Sequence, residues 1–189
     1  YLFMEQLTLN IINKSKVKIM ASSAYNFRIE LLKEIGKDDF PKILKIAKEF
    51  NKIYDHKNLF NEKNIHKYFN NKTLPFLARY NGEVIGFIIG VPIEYFNNES
   101  WCRYDINLGK NNTIYTYAFI ITKKFRKSGG YAKTLKMIYL NWAKKQGYKY
   151  VSGHVAQGIS KNFGSKTEII KIFSEWYQTN VPFEYYRRN

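Results

Sequence analysis

The sequence contains a single cysteine, Cys102, among its 189 residues. One cysteine cannot form a disulfide within the chain or a cysteine-based metal cluster. The three histidines, His56, His66 and His154, show no spacing typical of metal ligands, so no metal is implied. The sequence also lacks an apolar run of membrane-spanning length and a basic leader followed by an apolar core. These absences favour a soluble, cytoplasmic protein with no membrane partner.

Acidic residues are also scarce. The 15 Asp and Glu residues stand against 31 Lys and Arg residues, which gives a formal net charge of +16. A positive surface attracts polyanions, so nucleic acid is a candidate partner. It is not the favoured one, because the lysines are spread along the whole chain instead of forming one stripe. Hydrophobic residues make up 45% of the chain, which indicates a folded globule, and the length predicts one domain.

The stretch from Thr113 to Val155 predicts a strand, a turn, a helix and a second strand. The β-branched and aromatic run Ile114–Ile121 is long enough for a strand that is buried on both faces. A basic turn containing Gly129 and Gly130 follows. The next segment has apolar residues at helical spacing and stops at Gly147, where a C′ glycine is expected. Such a βαβ unit directs a helix N-terminus and free backbone N–H groups at an anion.

The turn resembles the acyl-CoA pyrophosphate loop of the GNAT N-acetyltransferases, Gln/Arg-x-x-Gly-x-Gly/Ala. Lys127 takes the first place of that pattern and Ala132 the last. An alternative register begins at Arg126, but it puts Tyr131 where a small residue belongs. Small residues are needed because bare backbone must come close to the phosphate oxygens. The resemblance covers roughly residues 25–188 and implies a single α/β domain, with a mixed β-sheet that is flanked by helices and splayed to bind acyl-CoA.

The resemblance also implies an order of elements, β-α-α-β-β-β-α-β-α-β. Residues 1–24 are predicted to form an arm or a short helix, and residues 25–189 the acetyltransferase domain, with a first strand at 26–32. Asn81-Gly82 between two apolar runs predicts a hairpin, because these residues supply the positive φ angles of a tight turn. The long connection 92–112 is a candidate for acceptor specificity.

Helices are predicted at three further places. Asp38 and Asp39 followed by Pro41 indicate a helix start. A second short helix is expected around residues 65–69. The apolar residues of 166–178 predict a last helix with Ile169, Ile170, Ile172, Phe173 and Trp176 buried, before a final strand at 182–186.

By resemblance, acetyl-CoA is the co-substrate. The strand before the turn would supply backbone N–H groups to the pantetheine and to the thioester carbonyl, and the turn would hold the pyrophosphate. The predicted cofactor-binding residues are Phe119, Ile120, Ile121, Arg126, Lys127, Ser128, Gly129, Gly130, Tyr131 and Ala132.

Acetyl transfer to an amine also benefits from an acid that protonates the leaving thiolate. In this family the acid is commonly a tyrosine on the helix after the fifth strand. Phe173 occupies that place by helical spacing, and Tyr177 lies one turn further, so Tyr177 is the predicted acid. Packing beside Trp176 is the alternative role of Tyr177. The asparagine usual early in that helix has no clear counterpart, since Asn162 lies too far before Phe173.

The base that deprotonates the amine is predicted among three residues. His154 and Glu94 are the main candidates and Asp105 is a third. The ordinary pKa of histidine, about 6.5, suits proton abstraction near neutral pH. A hydrogen-bonded structural role stays open for His154. Cys102 is not expected to carry the acyl group, because direct transfer needs no nucleophile.

These features predict an N-acetyltransferase that moves the acetyl group of acetyl-CoA directly to a primary amine, with a small or peptidic amine favoured. One alternative is an enzyme that acetylates aminoacyl-tRNA, as some bacterial toxins of the family do. Another is a catalytically silent GNAT-like module that binds CoA or nucleic acid. A homodimer stays open.

Overall fold

An open, mixed β-sheet of eight strands forms the centre of the molecule. The computed structural model describes residues 12–23, 26–53, 59–127, 129–177 and 179–189. The strands are β1 Lys16–Ser22, β2 Phe27–Glu34, β3 Leu74–Tyr80, β4 Glu83–Pro92, β5 Thr113–Ile121, β6 Tyr150–Ala156, β7 Thr167–Phe173 and β8 Phe183–Arg188. Their order across the sheet is β1-β2-β3-β4-β5-β6-β8-β7. Neighbouring strands are antiparallel, except that β5 and β6 are parallel.

Helices cover both faces of the sheet. The three α-helices of the described chain are α1 Phe40–Ile53, α2 Ile65–Tyr68 and α3 Tyr131–Lys145. Successive residues of a strand point to opposite faces, so each face has its own core. On one face, α1 and α2 pack against residues such as Leu77 and Phe87. On the other face, α3 packs against residues such as Phe76 and Ile88. None of these helices is long and apolar enough to cross a membrane.

Several predictions from local sequence are confirmed. The Asn81-Gly82 hairpin joins β3 to β4, with φ angles of 48° and 82° at the two turn residues. The start at Asp38–Pro41 leads into α1, and the short helix at 65–69 corresponds to α2. The strand–turn–helix–strand unit is β5, α3 and β6, and Gly147 follows α3 with a φ of 93°.

The N-terminal prediction needs correction. Residues 16–22 form the edge strand β1 instead of an arm or a short helix, and β1 pairs with β2. The backbone of β1 forms ladder hydrogen bonds with β2. The residues of β1 are mostly exposed, so their sequence shows no local pattern that indicates a strand. The first strand predicted at 26–32 is therefore the second one, β2. Residues 1–11 and 24–25 of the predicted arm lie outside the described residues.

The predicted helix at 166–178 is wrong. Residues 167–173 form strand β7, which pairs with β8 from Thr167↔Arg188 to Phe173↔Phe183. Ile169 and Ile172, predicted to be buried, are about half exposed, while Ile170 and Phe173 pack on the other face. The isoleucines are β-branched and favour a strand, and their spacing fits either period. Instead of a helix, β6 is followed by the short 3-10 turn Ser160–Phe163, which contains Asn162.

Candidate active site

The two parallel strands at the centre of the sheet separate soon after they meet. β5 and β6 pair at three positions, Thr113↔Tyr150, Ile114↔Val151 and Tyr115↔Ser152. Beyond Tyr115, β5 stays paired with β4, and β6 stays paired with β8. A V-shaped gap therefore opens toward the carboxyl ends of both strands.

A cavity of about 410 Å³ occupies this gap. Its walls include Phe50 and Tyr68 from the α1–α2 face and Tyr139 and Leu140 from the α3 face, so it reaches both sides of the sheet. β5 carries a bulge here, because the register shifts between Ile89↔Ala118 and Gly90↔Thr116. Tyr117 is the extra residue, and a bulged residue is left out of the ladder. Its backbone groups therefore lie at the wall of the cavity without a strand partner on β4.

The predicted pantetheine-binding residues follow this bulge. Phe119 lines the cavity, whereas the side chains of Ile120 and Ile121 are buried in the two cores on opposite faces of the sheet. Any contact of Ile120 or Ile121 with a ligand in the gap would therefore come from their backbone.

The glycine turn leads directly into α3. Gly129 and Gly130 have φ angles of 68° and 64°, in the left-handed region that favours glycine. Gly130 is the N-cap of α3, and no side chain among the described residues caps the helix. The first N–H groups of a helix have no partner within it. A Cβ at Gly130 would meet no atom within 4 Å, so its backbone is open to a ligand.

The other predicted residues of the turn take different positions. The ring of Tyr131 packs on Phe27, with ring centroids 4.7 Å apart, and lies against Gly129, where an added Cβ would clash with it. Arg126 donates from Nε to the Ile121 carbonyl at 2.7 Å and from Nη2 to Glu49 at 2.5 Å. Arg126 thus ties the turn to α1. Lys127 is exposed. Ala132 lies half-buried in the first turn of α3, and Ser128 lies outside the described residues.

Tyr177 lies at the cavity, although not on a helix. It belongs to the turn after β7 and has a φ of 41°. Its hydroxyl donates to Glu99 Oε2 at 2.9 Å, and both residues line the cavity. Burial and the bond to Glu99 raise the pKa of Tyr177 to about 12. Glu99 is the one carboxylate among the described residues that line the cavity.

His154 lies within an aromatic cluster at the cavity wall. Its ring stacks on Trp176 with centroids 3.6 Å apart, and its Nδ1 is 2.8 Å from the Tyr115 hydroxyl. Nε2 is buried and has no hydrogen-bond partner in the described part of the chain. Burial holds the pKa of His154 well below its usual value of 6.5. The imidazole is therefore neutral at neutral pH and a weak base.

The other two candidate bases stabilise a loop. Glu94 accepts hydrogen bonds from the backbone N–H groups of Gly109 and Asn111. Asp105 is buried and accepts from the Tyr185 hydroxyl at 2.6 Å and from Arg187 at 2.9 Å. Neither carboxylate is among the residues that line the cavity.

Cys102 is buried, and its thiol lies 3.5 Å from the Ile93 carbonyl oxygen. Burial, followed by the nearby carboxylates, raises the pKa of this thiol to about 12. A thiol with such a pKa is not a nucleophile near neutral pH. Among the described residues, no group of three or more His, Cys, Asp or Glu side chains could hold a metal ion.

Sequence reasoning missed three charged residues at the cavity, Glu99, Lys136 and Arg188. Glu99 belongs to the long connection that was expected to face the acceptor, and that was its only signal. Lys136 and Arg188 are 52 residues apart in the sequence, and nothing in their neighbourhoods marks them.

Comparison with known proteins assigns this chain to a family. The family model of the GNAT acetyltransferases matches residues 32–161. The chain belongs to the GNAT acetyltransferase family. No curated protein matches it.

Solved structures of other GNAT proteins share the fold at low sequence identity. A GCN5-related N-acetyltransferase from Kribbella flavida has a TM-score of 0.61 at 14% identity, covering 88% of this chain and 99% of that one. Naa50 of Arabidopsis thaliana, in complex with the bisubstrate analogue CoA-Ac-MVNAL, has a TM-score of 0.58 at 14% identity, covering 87% and 99%. The ribosomal-protein-alanine N-acetyltransferase of Brucella melitensis has a TM-score of 0.58 at 15% identity, covering 80% and 94%.

The low pKa of His154 predicts a pH-dependent stability. Below about pH 6.5 the unfolded chain binds a proton at this residue and the folded protein does not. The free energy of unfolding should therefore fall as the pH drops from about 6.5 to 5, by up to about 1.4 kcal/mol per pH unit from this residue. His154→Gln should remove that part of the slope in urea unfolding experiments. His66 lies outside the aromatic cluster that surrounds His154, so His66→Gln is the control for the loss of an imidazole. Equal slopes in wild type and His154→Gln would contradict this account.

Proposed function

We propose that this GNAT protein is an acyl-CoA-dependent N-acyltransferase that transfers an acyl group directly to a primary amine. One observation carries the proposal: the gap between β5 and β6 widens toward the carboxyl end of β5, from which the left-handed glycine turn leads into α3. An elongated ligand with a phosphate at one end and a reactive group at the other fits this arrangement. The CoA-containing analogue named with Naa50 supports the same class of donor.

The donor would be held at two places. Its pyrophosphate would accept hydrogen bonds from the backbone N–H groups at Gly130 and the first turn of α3, which the helix dipole makes favourable. Its thioester carbonyl would lie at the bulge of β5, where Tyr117 is left out of the ladder. A backbone N–H aimed at the carbonyl oxygen would stabilise the negative charge of the tetrahedral intermediate.

Glu99 and Tyr177 would carry the proton transfers. The amine nitrogen attacks the thioester carbon, the C–S bond breaks and its electron pair leaves with the sulfur. Glu99, at the acceptor side of the cavity, would take the proton of the attacking amine, directly or through a water. Tyr177 keeps its proton at neutral pH and would donate it to the thiolate. The neutral His154, held by Tyr115 and Trp176, would shape the cavity wall next to Tyr177.

The acceptor would be a small or peptidic amine. The walls on the acceptor side include Phe96 and Trp101 beside Glu99, which suits an amine on an uncharged chain. The structural neighbours include an enzyme whose name gives a ribosomal-protein alanine as acceptor. Both features favour a protein or peptide amine over the tRNA-borne alternative.

The glycine turn provides a test of donor binding. Gly130→Glu places a negative side chain in front of the N-terminus of α3. Two charge-assisted hydrogen bonds to the pyrophosphate, of about 1.5–3 kcal/mol each, should then be lost. CoA affinity should therefore fall by at least about 100-fold. Isothermal titration calorimetry with CoA measures the effect.

A matched control separates ligand binding from backbone strain. Gly147, at the other end of α3, has a φ of 93° and is also free of neighbours within 4 Å of an added Cβ. Gly147→Glu should cost a similar strain of about 1–2 kcal/mol and leave CoA affinity unchanged. If the Gly130→Glu protein is folded and binds CoA like wild type, the turn does not hold the pyrophosphate.

The Tyr177–Glu99 pair provides a test of the chemistry. Tyr177→Phe removes only the hydroxyl, so turnover should fall by about 10²- to 10⁴-fold with little change in CoA affinity. Glu99→Gln should lower kcat/KM most at neutral pH and less at high pH, where more of the amine is already deprotonated.

The turnover of the Tyr177→Phe and Glu99→Gln enzymes is measured as the release of free thiol from CoA thioesters. The acceptors are a panel of primary amines that includes peptides with a free N-terminus. Tyr104→Phe, an exposed tyrosine that does not line the cavity, is the control and should keep wild-type turnover. Full turnover of the Tyr177→Phe enzyme would leave packing as the role of that ring.

A further inference from the structure

Two cationic side chains line the α3 side of the cavity. Lys136 comes from the second turn of α3, and Arg188 from the end of β8. Within the described chain, neither forms an ion pair, whereas the neighbouring Arg187 bonds to both Asp105 and Glu168. Glu99, the carboxylate of the cavity, is on the other face with Tyr177. The α3 side of the cavity therefore holds two positive charges and no negative one among its described residues.

The positive charges of Lys136 and Arg188 repel each other. The Lys136 ammonium lies 4.3 Å from the centre of the Phe163 ring. Burial, and then repulsion from Arg188, lower the pKa of Lys136. Two like charges that converge on a cavity are costly unless an anion occupies the space between them. The arrangement therefore indicates an anionic group on a ligand.

The strand β5 shows how far this group lies from the phosphates of CoA. The pyrophosphate turn follows Ile121, the last residue of β5. Arg188 pairs with Val151, and Val151 pairs with Ile114. Ile114 and Ile121 are seven residues apart, or about 23 Å along the strand at about 3.3 Å per residue. The backbone of Arg188 is therefore at the closed end of the gap, remote from the turn.

Lys136 lies between these two levels. The hydroxyl groups of Tyr139 and Thr116 are hydrogen-bonded across 3.1 Å. This bond places Tyr139 beside Thr116 along the direction of β5. Lys136 is three residues earlier in α3, about 4.5 Å closer to the turn, and hence level with the bulge at Tyr117. Along β5 the order is then phosphate turn, bulge with Lys136, and Arg188. Lys136 is therefore level with the proposed thioester carbonyl, and Arg188 lies beyond it at the closed end of the gap.

We propose that Lys136 and Arg188 form a subsite for a carboxylate at the end of the transferred acyl group. The donor would then be the CoA thioester of a short dicarboxylic acid, such as succinyl-CoA, instead of acetyl-CoA. This inference rests on the proposed N-acyltransferase function. The carboxylate takes no part in the bond changes: the amine nitrogen bonds to the carbonyl carbon, CoA leaves as the thiolate and is protonated, and the amine proton goes to the base.

Donor preference of the wild-type protein tests the subsite without any variant. Succinyl-CoA and butyryl-CoA have acyl chains of the same length, and only the first ends in a carboxylate. Calorimetry should find succinyl-CoA bound about 10- to 100-fold more tightly, the usual worth of a charge-assisted hydrogen bond. Thiol-release assays should show the same preference in kcat/KM. Equal or weaker binding of succinyl-CoA would overturn the inference and leave the N-acyltransferase function standing.

Single substitutions then test which side chains cause the preference for succinyl-CoA. Lys136→Met and Arg188→Met should each lower succinyl-CoA affinity by about 10-fold or more and leave butyryl-CoA and free CoA nearly unchanged. Lys144→Met, an exposed lysine in the last turn of the same helix that does not line the cavity, should change neither. An equal loss for succinyl-CoA, butyryl-CoA and free CoA would assign the cations to the phosphates of CoA and overturn the inference. If no CoA thioester binds to the wild-type protein, the proposed function and the subsite both fall.

Discussion

The separation of β5 from β6 is the constraint on which the rest of the site depends. After Tyr115↔Ser152 the two strands do not pair, and each keeps its other neighbour, β4 or β8. A parallel sheet that stayed closed would fill this space with ladder hydrogen bonds and leave no room for a ligand. The gap instead exposes backbone groups of β5 to a cavity that both faces of the sheet share. It also widens toward the carboxyl end of β5, from which the glycine turn leads into α3.

Packing fixes where the gap closes. Tyr139 of α3 bonds to Thr116 on β5, and its ring lies so close to β4 that a Cβ at Gly90 would be 2.7 Å from it. α3 can therefore approach the sheet only because position 90 carries no side chain. On the other face, His154 and Trp176 stack and join β6 to the turn that carries Tyr177. Aromatic rings thus form the walls on both faces, and Tyr177 and Glu99 add polar groups to the cavity.

Local chemistry was enough to predict about half of the molecule. Asn81-Gly82 requires a tight turn, and Gly147 ends α3 because the chain needs a positive φ there. Residues 167–173 misled the prediction because their apolar spacing suits a helix and a strand, and only pairing with β8 decides between them. Tyr177 was placed at the site for the wrong reason: it reaches the cavity from a turn after a strand.

The groups that meet across the cavity were beyond the reach of sequence patterns. Glu99 and Tyr177 are 78 residues apart, and their hydrogen bond depends on how the long connection after β4 folds over the sheet. The central claim is that CoA lies in the gap with its phosphates on α3. A titration of nitrogen-15-labelled protein with CoA, followed by amide resonances, tests it most directly. The account predicts the largest shifts at residues 116–121 and 129–134, with the edge strand β1 unaffected. Shifts confined to other regions, or none at saturating CoA, would contradict it.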